Sequence, residues 1–329
     1  MAIDPKEINP ERRLELIEKQ NITVLGDDQV FIRRTPQGLI KSVKGAPTLK
    51  EAHGEIAVIE GKAMTTAKGF NSLNQIAGLS IITPEKLQLP NGEIVVNPYP
   101  IIDPESHTIT KVWCKKIAIG YSPIGNLVIT SATLLYDIRM YFIQDVMKKV
   151  QYNAGAGRVC LEQSLTDQEK ATGVFLKIDG FLGVWADFNH KEILKAMNTF
   201  INKKQFAERN AQSICERLVM AKHPALSHAA FVDAQGNEKN RMARIPVVGF
   251  LHDFNKEQLM DIAGQAERGE EIVIGNEKVV RIDVTAEATR EDVEADRDDE
   301  EFVSSGDPAD SDPSISGFQG MMFEGGERF

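Results

Sequence analysis

The sequence has few of the residues that mark a disulfide-stapled, membrane-spanning or metal-binding protein. Only three of its 329 residues are cysteines, and Cys114, Cys160 and Cys215 are far apart, which predicts neither a disulfide framework nor a cysteine metal site. No stretch approaches the roughly 18 consecutive apolar residues of a membrane-spanning helix. The charged first 20 residues contain no apolar core of a secretory signal. We therefore expect a cytoplasmic protein with no metal, no cofactor and no membrane partner.

Motifs of the common enzyme classes are also missing. The six histidines form no H-x-x-x-H or H-E-x-x-H pair, which is the spacing that places two zinc ligands on one helix face. There is no phosphate-binding P-loop, no G-x-G-x-x-G and no G-x-S-x-G. The segment at 154–158 is rich in glycine but lacks the Lys-Ser/Thr pair that a nucleotide loop uses. The sequence thus favours a binding protein over an enzyme.

The net charge of −10 is concentrated near the C-terminus. Residues 286–329 hold 14 acidic residues and three arginines, whereas the preceding residues are close to neutral. A segment of this composition cannot bury enough apolar surface to offset its chain entropy, so disorder is predicted over 286–329. Three phenylalanines, Phe318, Phe323 and Phe329, follow the acidic run. The segment resembles in kind the tails of single-stranded DNA-binding proteins, which implies docking to replication or recombination proteins; the alternative is a tail that only solubilises.

Periodicity predicts an α+β fold in which antiparallel hairpins are packed by long helices. We expect an N-terminal α+β region over 1–109, with a proline-rich excursion at 83–104, and an α+β core domain over 110–285. The predicted helices are 5–20, 65–79, 132–150, 191–222 and 255–268. The predicted hairpin turns include 122–126 and Gly275-Asn276.

The predicted helix over 191–222 is the most informative segment. It carries seven Lys/Arg and three Glu, and repeated cations along a helix can meet a phosphate backbone. Its apolar stripe, expected to pack on a sheet, consists of Ala207, Ala211, Ile214 and Leu218. The alternative is an ordinary amphipathic helix with a solvated basic face.

Residues 206–217 (FAERNAQSICER), followed by Lys222-His223-Pro224-Ala225, resemble the terminal helix of some phage single-strand annealing and recombination proteins. The resemblance covers about 30 of the 329 residues. It implies ATP-independent binding and pairing of single strands, as a homo-oligomeric ring or filament. The residues it implies as nucleic-acid contacts are Lys203, Lys204, Arg209, Arg217 and Lys222, with Trp185 or Phe188 stacking on a base. Trp185 is alternatively a core residue of its strand.

A second motif points to a different class of protein. Lys177-Ile178-Asp179-Gly180 resembles the K-x-D-G signature of the covalent nucleotidyltransferases, in which the lysine attacks the α-phosphate of a nucleotide. The arginine that this family places shortly after the glycine is missing here. The structural alternative is a strand that ends in a turn. A third hypothesis is an oligomeric structural or assembly protein that needs no ligand.

Overall fold

The computed structural model describes residues 31–35, 38–251, 254–274 and 277–295. The predicted helix over 5–20 and the docking residues Phe318, Phe323 and Phe329 lie outside this part of the chain. The described helices are α1 (Ala67–Ala77), α2 (Ile138–Tyr152), α3 (Asp167–Thr172), α4 (Lys191–Gln205), α5 (Ala207–Lys222), α6 (Lys256–Glu267) and α7 (Arg290–Ala295).

The strands are short except for one central pair. They are β1 (Phe31–Thr35), β2 (Gly38–Gly45), β3 (Thr48–Lys50), β4 (Ile56–Ile59), β5 (Lys62–Thr65), β6 (Ser80–Ile82), β7 (Lys86–Gln88), β8 (Ile94–Val96), β9 (Tyr99–Ile102), β10 (Ile109–Tyr121), β11 (Leu127–Asp137), β12 (Gly157–Leu161), β13 (Gly173–Asp179), β14 (Leu182–Asp187), β15 (Met242–Arg244), β16 (Val247–Leu251), β17 (Val273–Ile274), β18 (Glu277–Lys278) and β19 (Val280–Glu287). The predicted α+β class is confirmed.

The long hairpin β10–β11 is the centre of the fold. Its antiparallel register runs from Lys111 opposite Asp137 to Tyr121 opposite Leu127, and its turn is the predicted segment 122–126. The sheet has the order β19-β11-β10-β6, and β9 also pairs with β10. β19 runs parallel to β11, so antiparallel pairing, which the sequence favoured throughout, does not extend to this edge.

Helices cover both faces of the hairpin. On one face α5 packs against β10 and β11 through the apolar stripe that the sequence predicts, with Ala207, Ala211 and Ile214 buried and Leu218 partly buried. On the other face Ile117, Ile119 and Ile129 form a second cluster with α6. The helix α5 is therefore fixed by burial of its apolar side.

One predicted helix start is wrong. The sequence predicts a helix from residue 132, but β11 continues to Asp137, because Ala132, Leu134 and Tyr136 are buried while their neighbours Thr133 and Leu135 are half-buried. That period of two is the period of a strand. The helix α2 begins only after Asp137, whose carboxylate accepts the Met140 N–H at 3.0 Å.

The predicted domain boundary at 109/110 does not separate two hydrophobic cores. The largest apolar cluster joins Leu49 and Phe70 to Val112 and Leu134, so residues from both sides of the boundary are buried together. Val293, within the predicted disordered segment, belongs to the same cluster. Residues 286–295 therefore complete β19 and form α7, and the order predicted to end at 285 extends at least ten residues further.

A smaller sheet lies beside this core. Its order is β12-β14-β13, and Val184, Ala186 and Ile193 form a third cluster with residues of α2. The helices α2 and α4 pack together on this sheet, with the Phe142 and Phe200 rings stacked at 4.4 Å. This packing determines which side of α4 faces solvent. No helix in the described part of the chain is long and apolar enough to cross a membrane.

Candidate nucleic-acid interface

One long face of α4 is exposed to solvent. The helix begins after His190, whose Nδ1 accepts the Glu192 N–H at 3.3 Å. Ile193 and Ala196 are buried. The exposed residues recur at three- and four-residue spacing, so they lie on one side of the helix. They are Lys191, Leu194, Lys195, Asn198, Ile201 and Gln205.

This exposed face continues into α5. The long predicted helix is divided at Phe206, yet the Phe206 N–H donates to the Asn202 carbonyl at 3.1 Å and the Asn210 N–H donates to the Phe206 carbonyl at 2.9 Å. Because four-residue hydrogen bonding passes through the division, exposed Arg209 follows Gln205 by one turn on the same side. Its guanidinium lies 4.4 Å from the centre of the Phe206 ring.

We call the set Lys191, Leu194, Lys195, Asn198, Ile201, Gln205 and Arg209 the basic stripe. Its 18-residue span corresponds to about 27 Å at the helical rise. Leu194 and Ile201 are 50% and 54% exposed, and Phe188, which is 39% exposed, precedes the stripe at the start of α4. Cations and apolar side chains therefore share one helical face, and an exposed aromatic lies three residues before it in the chain. Helical spacing alone does not predict this surface, because apolar residues on one side of a helix are expected to face the core.

Lys203, a predicted phosphate contact, is in the interior. It is 1% exposed, and its ammonium lies 4.5 Å from the centre of the Tyr141 ring. The expectation that Lys203 is exposed on a basic face is wrong, because α4 packs this side against α2. An aromatic ring offers a buried ammonium the electrostatic contact that water otherwise supplies.

Lys204 is half-buried beside it. Its ammonium donates to Thr108 Oγ1 at 2.7 Å and lies 4.9 Å from the centre of the Phe200 ring. Both contacts hold the side chain toward the body of the protein. Lys204 therefore lies on a different side of α4 from the basic stripe.

Arg217 is also buried, which conflicts with its predicted role as a phosphate contact. Its residue exposure is 4%, and its guanidinium forms an ion pair with Asp292 of α7. The reason is its position on α5, where burial of the neighbouring apolar stripe carries this side of the helix inward. Lys222 is exposed at the end of α5, about 20 Å along the helix from Arg209 at the helical rise.

Trp185 is held within the small sheet. Its indole N–H donates to the Glu169 carbonyl at 2.8 Å, and a β-carbon placed on Gly173 would lie 2.6 Å from its Nε1. The ring is half-buried, whereas its strand neighbours Val184 and Ala186 are the residues that enter the core. Trp185 is therefore neither freely exposed nor part of the buried clusters. Among the two aromatics that the sequence offers for stacking, Phe188 is the more accessible.

The Lys177-Ile178-Asp179-Gly180 motif forms the hairpin between β13 and β14. Asp179 pairs with Leu182, and a bulge separates it from Lys177. Gly180 has a φ of +53°, a backbone region that favours glycine in tight turns. Lys177 is exposed on the strand that leads into this turn. The geometry thus accounts for the motif as a strand that ends in a turn.

The glycine-rich segment at 154–158 leads into β12. A β-carbon on Gly157 would lie 2.0 Å from the Trp185 carbonyl oxygen, so this position requires glycine for the close approach of two strands. Arg158 forms hydrogen bonds of 2.7 and 3.1 Å to the two carboxylate oxygens of Glu169. The side-chain hydrogen bond from Arg158 is the main cause that lowers the pKa of Glu169 to about 2.

Within the described residues, no group of three or more His, Cys, Asp or Glu side chains is placed to hold a metal ion. Comparison of the chain with protein-family models, with curated proteins and with solved structures gave no match.

Proposed function

We propose that this protein binds single-stranded nucleic acid along the basic stripe and promotes strand pairing in recombination or replication. The observation that carries the proposal is the shared exposure of Lys191, Lys195 and Arg209 with Leu194 and Ile201 along the basic stripe, with exposed Phe188 three residues before it in the chain. Proteins that bind single strands without sequence preference combine cations that follow the backbone with surfaces on which bases stack.

The electrostatics of the stripe favour a polyanion. Glu208, next to Arg209 in the chain, is exposed. The Glu192 carboxylate forms ion pairs with Lys149 at 3.1 Å and with Lys195 of the stripe at 3.5 Å. Lys191 and Lys195 are one turn apart, and Arg209 lies about 21 Å further along at the helical rise. These cations can neutralise phosphates at separate points of one strand, and the release of counterions then makes binding dependent on salt. Phe188 offers a stacking surface at one end of the stripe.

The wider setting of this activity follows the resemblance of residues 206–225 to phage single-strand annealing proteins. We propose action in the cytoplasm of a bacterial or phage-infected cell, without a nucleotide cofactor and as a homo-oligomer. We further propose that the C-terminal phenylalanines dock replication or recombination proteins. The proposed contacts differ from those that the resemblance implies, because Lys203 and Arg217 are buried. Lys191 and Lys195 take their place as the proposed phosphate contacts.

A salt-titrated binding assay on labelled single-stranded DNA tests the proposal. The double variant Lys191→Ala/Lys195→Ala removes two stripe cations, and each lost contact lowers the slope of log K against log salt by about 0.7. The matched control is Lys68→Ala/Lys256→Ala, which removes two exposed lysines of α1 and α6. We expect a smaller slope for the first variant and the wild-type slope for the control.

Stacking is tested separately with Phe188→Ala. Loss of one base–aromatic contact costs about 1–3 kcal/mol of binding free energy and leaves the salt slope unchanged, because no charge is removed. Wild-type affinity and slope in both Lys191→Ala/Lys195→Ala and Phe188→Ala would rule out this surface. A covalent, Lys177-dependent label from ATP or GTP would instead favour a nucleotidyltransferase.

A further inference from the structure

The strand β19 forms an open edge of the central sheet. Its eight residues, Val280–Glu287, pair with β11 on one side, and no residue of the described chain forms a backbone hydrogen bond with its other side. Edge strands are commonly protected from pairing by shortness, proline, a bulge or charged side chains. The charges of β19 are Arg281, Asp283 and Glu287. This strand is longer than the average strand of five to six residues, and it contains no proline. Its outer edge is a template for one more strand.

The side chains of β19 separate by chemistry between the two faces of the sheet. Arg281, Asp283, Thr285 and Glu287 are exposed on one face, whereas Ile282, Val284 and Ala286 are half-buried on the other. Arg281 and Asp283 form an ion pair of 2.7 Å on the polar face. Glu287, at the end of that row, has no ion-pair partner among the described residues. The polar row thus has a cation at one end and an unpaired carboxylate at the other.

This sequence is complementary to itself in an antiparallel register. A two-fold axis through Val284, perpendicular to the sheet, places Arg281 opposite Glu287 of a second copy, and the same pair recurs by symmetry. Asp283 then lies opposite the hydroxyl of Thr285. On the other face Ile282 lies opposite Ala286, and Val284 meets its own symmetry mate. Opposite charges and apolar pairs on directly opposed residues stabilise an antiparallel sheet.

A groove beside the strand has room for the incoming copy. The cavity has a volume of about 590 Å³. Its apolar lining includes Val284 and Ala286 of β19, Leu218 and Ala221 of α5, and Phe231, and its charged lining includes Lys62, Lys222 and Glu291. Phe231 is 61% exposed. A strand added at the usual spacing of about 4.8 Å would carry its own apolar row along this groove and cover Phe231.

We propose that two copies of this chain associate through β19, so that their central sheets become one continuous sheet across a two-fold axis. The occupant of the edge is a second copy, because β19 read in the reverse direction is complementary to itself. Arg281 then faces Glu287, and the apolar row faces the apolar row of the other copy. This interface is separate from the basic stripe, and it does not depend on nucleic-acid binding.

Charge reversal at the two ends of the strand tests the register. Arg281→Glu and Glu287→Arg each place like charges opposite one another at two symmetric positions, and we expect dimer dissociation constants about tenfold higher by mass photometry and sedimentation equilibrium. The double variant Arg281→Glu/Glu287→Arg restores opposite charges, and we expect the wild-type constant. The control Lys278→Glu also reverses a positive charge, but on β18 and therefore outside β19. Thermal melting of each variant checks that the monomer is folded.

A cysteine scan provides an independent test. Val284→Cys places two thiols directly opposite each other at the axis, within the Cα separation that a disulfide allows, and we expect a covalent dimer on mild oxidation. Ile282→Cys lies four residues from its symmetry mate, about 13 Å away, and should give no dimer. Ile282→Cys/Ala286→Cys should give one. The native residues Cys114, Cys160 and Cys215 are buried and do not compete.

Each result bears on the proposal. The proposal is supported if Arg281→Glu and Glu287→Arg each weaken association and the double variant restores it. A covalent dimer of Val284→Cys supports it as well. A monomer at every concentration overturns it, as does an oligomer whose dissociation constant neither Arg281→Glu nor Glu287→Arg changes. Loss of single-strand binding in the Lys191→Ala/Lys195→Ala variant would leave these outcomes unchanged, so failure of the two proposals is distinguishable.

Discussion

Arg217 of α5 and Asp292 of α7 form an ion pair that joins the last described helix to the core. The Arg217 side chain is 5% exposed and that of Asp292 is 21% exposed. The Asp292 carboxylate also accepts the Thr289 N–H at 2.9 Å and the Thr289 hydroxyl at 2.8 Å, which places it at the start of α7. The pair explains why the ordered chain extends beyond residue 285.

The first prediction concerns this ion pair. Asp292→Ala leaves a buried guanidinium without its carboxylate and removes the contacts to Thr289, so we expect a loss of about 3 kcal/mol in the free energy of unfolding. Glu291→Ala, at the exposed neighbouring position, should change it by less than about 0.5 kcal/mol. Urea denaturation followed by circular dichroism measures both. Equal stability of the two variants would mean that the pair does not hold α7.

The second prediction separates the two adjacent lysines of α4. Lys203→Ala removes a fully buried stem and the contact with Tyr141, and we expect a cost of about 2–3 kcal/mol of stability. Lys204→Ala should cost less than about 1 kcal/mol, since half-buried Lys204 makes a single hydrogen bond with Thr108. Neither substitution should change the salt slope of single-strand binding.

Chemical denaturation and the salt-titrated assay together check this contrast. If Lys203→Ala kept wild-type stability but gave a smaller salt slope, Lys203 would be a nucleic-acid contact. That result would contradict its position beneath α2.

The third prediction concerns the acidic segment beyond α7. Residues 296–329 contain ten acidic and two basic residues. Deleting them should raise the affinity for single-stranded DNA, because tethered negative charge competes with phosphate for the basic stripe. The cut at 296 keeps Asp292 and Val293, whereas removal from residue 291 would destabilise the core. Fluorescence anisotropy at two salt concentrations measures the gain, which should shrink at the higher salt.

A control for this deletion keeps its length constant. Replacing the acidic residues of 296–312 by Asn and Gln preserves the chain and removes most of its charge. If the deletion and this neutral variant both bind with wild-type affinity, the segment does not compete for the stripe.

The fourth prediction is a pH dependence that originates at His223. The ring is fully buried, its Nε2–H donates to the Val128 carbonyl at 3.3 Å and its Nδ1 accepts the Ala225 N–H at 3.2 Å. Burial is the main cause that lowers the pKa of His223 from 6.5 to about 4. Protonation of Nδ1 would also break its hydrogen bond with Ala225.

The unfolded chain therefore binds this proton more readily than the folded chain. Stability from neutral His223 is complete above pH 6.5 and is lost as the pH falls from 6.5 toward 4, by up to about 3 kcal/mol. His223→Asn retains an acceptor for the Ala225 N–H and does not titrate, so its stability should vary less between pH 6.5 and 4.5. Parallel pH profiles for the two proteins would show that another group causes the loss.

Local patterns in the sequence were sufficient for the elements that local physics controls. The helix α1 begins with Thr66, which accepts the Gly69 N–H at 3.1 Å, and it falls within the predicted range 65–79. The hairpin turn at 122–126 and the apolar stripe of α5 also follow directly from turn composition and from helical spacing. Each of these features depends on residues close together in the chain.

Only the tertiary structure decided which side of each element is buried. Lys203 and Lys191 have the same charge on the same helix, yet the packing of α2 buries the first and leaves the second exposed. Arg217 looked like a surface cation because its partner Asp292 lies 75 positions away. The position of β19 at the edge of the sheet is likewise decided by a distant segment, because β19 pairs with β11, more than 140 residues earlier in the chain. Charge and periodicity of a segment limit what it can form, but the side that meets solvent is selected by contacts with segments distant in sequence.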